Sequence, residues 1–222
     1  MIITIDGTAA SGKSTVARLL AEKLDFKHLE TGSLYRAITY HMLKNEIDIN
    51  SEEIVCQELS KINIEVVWDS AGRQRTILNS EDVTDWLQDP AINATVSIVS
   101  AYSCVREFLL DVQRNAAQGS DIVAEGRDMG TVVFPQADLK FFITASVDER
   151  ARRRYYQLIE QGKTITYDDV LKEIVERDLR DSRRPIAPMK PAPDAILIDT
   201  TDRTPDEIVN HIIQLVNEAR VI

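Results

Sequence analysis

The chain alternates short apolar runs with longer segments in which apolar positions recur every three or four residues. The short runs predict β-strands and the longer segments predict α-helices. The runs predicted as strands are Ile2–Ile5, Phe26–Leu29, Ile122–Ala124, Leu139–Ile143 and Ala195–Ile198. The segments predicted as helices are about 13–24, 33–45, 51–61, 104–117, 147–160, 167–182 and 205–219. Alternating strands and helices favour a mainly parallel sheet covered on both faces, so we expect an α/β fold.

Two stretches depart from this alternation. From Ile62 to Thr84, strand-like residues lie on both sides of a turn at Asp69–Gly72, which predicts a β-hairpin and hence a small antiparallel insertion. A proline-rich stretch begins at Pro185. Because proline cannot continue a helix, the helix before it must end near Arg183.

Composition and charge narrow the classes of protein that fit. With 222 residues and 44% hydrophobic residues, the chain can bury a sizeable core. Its net charge of −10 argues against a general nucleic-acid binder, which needs an excess of Lys and Arg. The sequence has no run of about 18 apolar residues and no signal-peptide pattern at its start, so we expect a cytoplasmic protein that does not bind a membrane.

The two cysteines carry no recognisable pattern. Cys56 and Cys104 have no CxxC partner and no neighbouring histidine. Their arrangement therefore suggests neither a disulfide framework nor a zinc site, and we expect both to be small buried hydrophobic residues.

A phosphate-binding loop follows the first predicted strand. Residues 7–14 match G-x-x-x-x-G-K-[ST], with an apolar run before them and a helical pattern after them. In such a loop the glycines let backbone N–H groups surround phosphates at the positive end of a helix, the lysine balances phosphate charge and the Ser hydroxyl ligates Mg²⁺. The loop therefore predicts a nucleoside triphosphate site with Mg²⁺. Its residues are Gly7, Thr8, Ala9, Ala10, Ser11, Gly12, Lys13, Ser14 and Thr15.

Polar residues at two other strand ends indicate a second substrate. Arg127 and Asp128 follow the strand that begins at Ile122, and Tyr35 and Arg36 come soon after the second strand. Ligands of open parallel sheets bind beyond the carboxyl ends of the strands. Two simpler interpretations stay open, namely that Arg127 and Asp128 form a loop salt bridge and that Tyr35 is a core residue. The chain lacks the N-K-x-D sequence that a guanine-reading switch would need.

Arginines line two predicted helices near the end of the chain. Helical spacing places Arg177, Arg180, Asp181 and Arg184 on one face of the second helix and Arg150, Arg153 and Arg154 on one face of the first. A solvated surface with local ion pairs is the ordinary interpretation of such faces. Because a short link joins the two helices, they also fit a hinged flap that closes over phosphates and keeps water away.

Several motifs together resemble one family. "ITIDG", "ETGSLYRA", "SCVRE", "EGRDMGTVVFP" and "ERDLRDSRRPIAP" occur in the order found in bacterial cytidylate kinases. The resemblance spans nearly the whole chain. It implies the fold of phosphate-loop nucleoside monophosphate kinases, with a five-stranded mainly parallel sheet, an antiparallel β insertion and a helical lid. The implied reaction is transfer of the γ-phosphoryl group of ATP to CMP or dCMP with Mg²⁺.

The resemblance also implies a role for each motif residue. The catalytic set, which neutralises charge on the transferred group, would be Lys13, Arg127, Arg153, Arg154 and Arg184. The acceptor-binding set would be Thr31, Tyr35, Arg36, Ser97, Arg106, Arg127, Asp128, Arg177, Asp181 and Arg184. Within it, Ser97, Arg106 and Asp128 would read the base. Ser14 would hold Mg²⁺, with Glu125 acting through water, although aspartate is usual in the family where this chain has Glu125.

By the same resemblance the chain is one kinase domain in three parts. The core comprises 1–30, 104–146 and 185–222, the monophosphate-binding segment is about 31–103, and the lid is about 147–184. We expect a monomer. Two alternatives stay open: a kinase for another small acceptor, such as a different nucleoside monophosphate or shikimate, and a nucleotide-binding regulator without catalysis.

Overall fold

The computed structural model describes residues 1–220. Its strands are β1 (Ile2–Gly7), β2 (Lys27–Glu30), β3 (Ile64–Trp68), β4 (Gln74–Leu78), β5 (Glu81–Asp82), β6 (Ile122–Gly126), β7 (Leu139–Thr144) and β8 (Ile196–Asp199). Its α-helices are α1 (Lys13–Leu24), α2 (Thr31–Lys44), α3 (Glu52–Glu58), α4 (Pro90–Val99), α5 (Ser103–Ala116), α6 (Val147–Glu160), α7 (Tyr167–Arg183) and α8 (Pro205–Arg220). None of the described helices is long and apolar enough to cross a membrane.

A five-stranded sheet in the order β2-β6-β1-β7-β8 forms the centre of the fold, and all its strand pairs are parallel. β1 lies between β6 and β7, where Ile5 is opposite Glu125 on one side and Phe141 on the other. The carboxyl ends of β1, β2 and β6 therefore meet at one edge. The expected α/β class and parallel sheet are confirmed, and the segments after these three strands are brought together.

Apolar faces of the helices cover this sheet on both sides. On one side α1 and α8 bury residues such as Val16, Leu20 and Ile212 against β1 and β7. On the other side Leu29 and Ile122 pack with Met129 and Phe134, which follow β6. The repeat of apolar positions at helical spacing thus brings α1 and α8 to the sheet, and burial of these side chains stabilises the layered core.

The region between β2 and β6 forms a second apolar cluster. Leu34 and Ile38 of α2 pack there with Val99 of α4 and Leu109 of α5. The strands β3, β4 and β5 form a separate antiparallel sheet against this cluster, which confirms the predicted insertion. At its turn, the Asp69 carboxylate accepts hydrogen bonds from backbone N–H groups, as expected of an Asx turn.

Helix α4 is an element that the sequence analysis did not predict. Asp89 caps it by accepting a hydrogen bond from the Ala91 N–H at 2.7 Å, and Pro90 occupies the first turn. Aspartate followed by proline is a strong start signal for a helix. Ile92, Val96 and Val99 then supply the buried face. The helix predicted at 51–61 also differs, because it ends at Glu58 and continues as a 3₁₀ turn.

The expectation for the cysteines is wrong, because Cys56 and Cys104 form a disulfide. Cys56 lies on α3 and Cys104 lies in the first turn of α5, and both residues are half-buried. A separation of 48 residues carries no information about which helices touch. The pairing depends on tertiary packing, which brings these two positions together.

Reduction of this disulfide should destabilise the fold. It closes a loop of 48 residues. The chain-entropy model therefore predicts that reduction lowers the free energy of unfolding by about 4 kcal/mol. Urea unfolding with and without a reductant measures the change. The double variant Cys56→Ser/Cys104→Ser should match the reduced protein and ignore the reductant; equal stability of oxidised and reduced protein would contradict the prediction.

Asp6 is a buried carboxylate that joins β1 to the segment after β6. Its two oxygens accept hydrogen bonds from the N–H groups of Met129 and Gly130, both at 2.8 Å. Burial raises the pKa of Asp6 from 3.8 to about 6, although these two N–H groups act to lower it. Asp6 therefore holds the turn that follows Arg127 and Asp128 close to the start of the phosphate loop.

This raised pKa predicts how stability depends on pH. Because the folded pKa exceeds the unfolded one, the stability that Asp6 contributes is complete below about pH 4 and is lost as the pH rises through about 6. Asp6→Asn lacks this titration. The free energy of unfolding of the wild type relative to the variant should fall by at most about 3 kcal/mol across that window. Urea unfolding at several pH values tests this, and a difference that stays constant would refute it.

Candidate active site

The phosphate loop connects β1 to α1 and has the geometry that its sequence predicts. Gly12 caps α1 in the left-handed conformation, with φ of 86°. Gly7 packs so closely on β7 that a side chain there would collide with the Ile143 carbonyl oxygen. The free N–H groups at the start of α1 and the positive end of the helix dipole make this loop an anion site.

Lys13 lies at the base of the loop and is almost fully buried. Its Nζ donates to the Thr8 carbonyl oxygen at 3.2 Å. Burial first, and then the positive charge of Arg127, lower the pKa of Lys13 to about 7. The positive charge of Lys13 is therefore close to other positive charges that the nearby acids do not fully neutralise. This arrangement favours the binding of an anion beside Lys13.

Two cavities meet at this lysine. The first, of about 580 Å³, extends from the loop between α6 and the segment after β8. The second, of about 630 Å³, lies over the carboxyl ends of β2 and β6. Residues that line both cavities are Ala10, Lys13, Ser14, Arg154 and Gln157. A phosphoryl donor bound in the first cavity and a phosphoryl acceptor bound in the second would thus face each other across the phosphate loop.

Ser14 and Glu125 form the candidate Mg²⁺ site. The Ser14 hydroxyl donates to Glu125 Oε2 at 2.7 Å, and His28 Nε2 lies 3.1 Å from Glu125 Oε1. Burial alone would raise the pKa of Glu125, but its contacts with His28 and the charge of Lys13 keep that pKa below its usual range. An ionised carboxylate beside a hydroxyl supplies the oxygen ligands that Mg²⁺ prefers, so these residues fit the ion.

A buried ion pair forms the inner end of the second cavity. Arg106 Nη2 donates to Asp128 Oδ2 at 2.6 Å, and both side chains are almost fully buried. The Arg106 guanidinium also lies 5.2 Å from the centre of the Tyr35 ring. Arg184 approaches the other Asp128 oxygen at 3.6 Å. Asp128 therefore pairs with arginines from two other elements and not with Arg127. The interpretation that Arg127 and Asp128 form a salt bridge within their loop is wrong.

Further arginines surround the same cavity. Arg127 Nε donates to Asp181 Oδ2 of α7 at 2.8 Å, and Arg36 pairs with Glu30 at 2.7 Å. Arg177 has a buried Nε with no hydrogen-bond partner among the described residues. Burial and the nearby charge of Arg127 lower the pKa of Arg177 to about 10. The cavity is thus prepared for an anionic ligand.

The arginines of α6 occupy different positions. Arg153 donates to Glu149 and to Thr200, whereas Arg154 donates to Gln157 and lines both cavities. Arg150 is buried and does not line either cavity. On α7, Arg180 is exposed and lies outside both cavities, so the arginine faces predicted from helical spacing are each divided by the tertiary structure.

The structure brings most of the predicted site residues together. All the residues of the acceptor-binding set line the second cavity, including Ser97 from α4, and Tyr35 is both a cavity residue and part of the apolar cluster. The Thr31 hydroxyl donates to the Glu125 carbonyl at 2.7 Å. Gly7 and Thr8 are the exceptions among the loop residues, because they line neither cavity.

Sequence reasoning missed some of the cavity residues. Asn93 and Ser100 line the second cavity from α4 and its end, beside Ser97. Asn93 and Ser97 are four residues apart, so recognition of the helix start at Asp89 and Pro90 would have placed both on one face. In the first cavity, Thr200 and Arg203 come from the segment after β8, where the sequence offers no comparable signal.

The class of phosphate-loop kinases is defined by a phosphate loop on a parallel sheet and a second basic cavity across from it. The arginine-bearing helix α6 lies beside both cavities, and α7 lies beside the second. Among solved structures, an uncharacterized protein from Eubacterium ventriosum has a similar fold, with a TM-score of 0.51, 15% identity and coverage of 98% of each chain. At this identity the likeness concerns the fold alone.

Comparisons of sequence define the family within this class. A family model described as cytidylate kinase matches residues 3–218. A cytidylate kinase of Carboxydothermus hydrogenoformans is 42% identical, and the match covers 97% of this chain and 97% of that protein. A cytidylate kinase of Caldanaerobacter subterraneus is 44% identical, with coverage of 97% of this chain and 94% of that protein. The chain belongs to the cytidylate kinase family.

Proposed function

We propose that the protein transfers the γ-phosphoryl group of ATP to CMP or dCMP, giving ADP and CDP or dCDP. Membership of the cytidylate kinase family supports this reaction. The observation that carries the choice of acceptor is the buried Arg106–Asp128 pair at the inner end of the second cavity. ATP would bind at the phosphate loop and in the first cavity, and the monophosphate would bind in the second.

The polar groups at the inner end of the cavity complement cytosine. Its amino group is a donor that suits the Asp128 carboxylate and the Ser97 hydroxyl, and its ring nitrogen and carbonyl are acceptors that suit Arg106. The Arg106 Nε is buried and has no hydrogen-bond partner within residues 1–220, so it is available to a ligand. Uracil reverses two of these groups and would leave buried polar atoms unpaired, which is a strong basis for discrimination.

The remaining cations would bind phosphate and sugar. Arg36, Arg127 and Arg184 would hold the acceptor phosphate, while Arg177 and Asp181, with Tyr35, would contact the sugar. A phosphate oxygen of the acceptor attacks the γ-phosphorus and the bond to the β-phosphate oxygen of ATP breaks. No general base is needed, because a phosphate monoester is already anionic.

Catalysis would come from alignment and from neutralisation of charge. Lys13 and the lid residues Arg153 and Arg154 would neutralise charge on the transferred group, together with Arg127 and Arg184. Mg²⁺ would be held by Ser14, with Glu125 acting through water, and would screen the phosphate oxygens of ATP. The hydrogen bond between the two side chains supports this assignment.

We also propose the division into core, monophosphate-binding segment and lid at the boundaries predicted above. Helix α6 borders both cavities, α7 borders the second, and the two lie in sequence between β7 and β8, which suits a lid. We propose that the protein acts as a cytoplasmic monomer on small molecules, without a nucleic-acid or membrane partner.

A coupled assay tests the reaction. Purified protein, ATP and Mg²⁺ are mixed with CMP, dCMP, UMP, AMP or shikimate in turn, and ADP release is followed. Release should be fastest with CMP or dCMP and should stop when a chelator removes Mg²⁺. Release with another acceptor but not with the cytidine nucleotides would overturn the assignment. No release with any acceptor would favour a nucleotide-binding regulator.

Replacement of Asp128 tests recognition of the base. Asp128→Ala removes the carboxylate and leaves Arg106 buried without its partner, so we expect the KM for CMP to rise by about 100-fold or more. The KM for ATP should change by less than about threefold, because Asp128 does not line the first cavity. Steady-state kinetics with each substrate varied in turn measures both.

Asp111→Ala is the matched control for this variant. Asp111 is exposed on α5, the helix that carries Arg106, so it should keep wild-type kinetics. Thermal unfolding establishes that the Asp128→Ala protein is folded. Equal losses for CMP and ATP in that variant would show that Asp128 does not read the acceptor.

A further inference from the structure

Asp178 of α7 is a half-buried acid that lines neither cavity and contacts the phosphate loop and α6. Its Oδ1 accepts a hydrogen bond from the Ala9 N–H at 2.9 Å. Its Oδ2 accepts a hydrogen bond from Nη1 of Arg150 on α6. One carboxylate therefore joins both arginine-bearing helices to the backbone of the loop. The roles given above to loop, cavity and lid residues leave this contact unexplained.

Arg150 completes the same junction from the other helix. Its Nη1 also donates to the Ala9 carbonyl oxygen at 3.1 Å, and its Nε donates to the Ala145 carbonyl at 3.0 Å. Both hydrogen-bonding groups of the Ala9 backbone are thus held by side chains of α6 and α7. Because Arg150 is buried and charged, the pair with Asp178 is a strong geometric constraint.

A second connection reaches the loop two residues further along. Arg153 of α6 donates to the Thr200 hydroxyl at 3.0 Å, and that hydroxyl donates to the Ser11 carbonyl oxygen at 3.0 Å. Between the two held residues, Ala10 has φ of 57°, a left-handed conformation that costs energy for any residue with a side chain. Such a conformation persists only where the surroundings enforce it, as the two connections do here.

The helix that holds the loop also carries groups of the second cavity. Arg177 precedes Asp178, and Asp181 follows it by three residues; both line that cavity, and Asp181 pairs with Arg127. The phosphate loop, which would bind ATP, therefore constrains α7 at Asp178. The second cavity, which would bind the monophosphate, constrains the same helix at Arg177 and Asp181. A ligand that fixes either site fixes the same helix.

We infer that Asp178 is a positioning residue that couples the donor and acceptor sites through α7. The inference rests on the proposed function, since it takes the two ligands to be ATP and CMP. Filling of the donor site stabilises the hydrogen bonds among Ala9, Arg150 and Asp178, and thereby orders Arg177 and Asp181 for the acceptor. By thermodynamic linkage the effect is reciprocal, so CMP also tightens the binding of ATP.

Calorimetric titration of CMP in the absence and presence of a saturating non-hydrolysable ATP analogue with Mg²⁺ tests this coupling. In the wild type we expect the analogue to tighten CMP binding by about tenfold, within the usual range of coupling between sites. In Asp178→Asn this ratio should fall below about twofold. The asparagine oxygen can still accept from Ala9, but its amide group cannot pair with Arg150.

Glu176→Gln is the matched control. Glu176 is exposed on the same helix and lies outside both cavities, so its replacement changes charge equally and should keep the wild-type ratio. Thermal unfolding is measured for each variant. Should Asp178→Asn not fold, Arg150→Lys supplies the second test, because it keeps the charge, loses the planar fork and should give the same loss of coupling.

The outcomes separate this inference from the proposed function. Wild-type protein that binds CMP with the same affinity with and without the analogue overturns the coupling alone. A variant at Asp178 or Arg150 that is folded and keeps the wild-type ratio overturns the role of Asp178. Wild-type protein that fails to bind CMP in either condition overturns the proposed function and the coupling together.

Discussion

The crowding of positive charge around Lys13 is the constraint on which the rest of the site depends. Burial and the neighbouring Arg127 lower its pKa to about 7, and Arg177 is affected by the same two causes. Like charges in a poorly hydrated cavity repel one another unless an anion joins them. The repulsion therefore destabilises the ligand-free protein and favours the binding of phosphates, which supply the missing negative charge.

The fold meets this constraint with a small number of buried carboxylates. Asp128 pairs with Arg106, Asp181 pairs with Arg127, and Glu125 contacts Ser14 close to Lys13. Glu125 and Asp128 come from the carboxyl end of β6, whereas Asp181 comes from α7. The acids hold the cations in place without neutralising all of them, so the same contacts that keep the protein folded also orient it for ligands.

Much of this site could be predicted from the sequence, because its parts are local. The phosphate loop is a continuous motif between a strand and a helix, and the motifs at Thr31 and Arg127 follow strands whose parallel order brings them to one edge. Other parts could not be predicted. The Asp178–Arg150 contact and the Cys56–Cys104 disulfide join residues from separate helices, and no periodicity in one segment reports on the other.

The sequence by itself determined the α/β class, the phosphate loop and the residue types at each strand end, since these follow from hydrophobic period and from short motifs. Only the tertiary structure decided how those residues pair. It turned Arg150 towards the loop and left Arg180 in solvent, although helical spacing had placed arginines of each helix on one face. The physical reason is that burial and charge partners come from other elements, so the environment of each side chain is set by packing between helices.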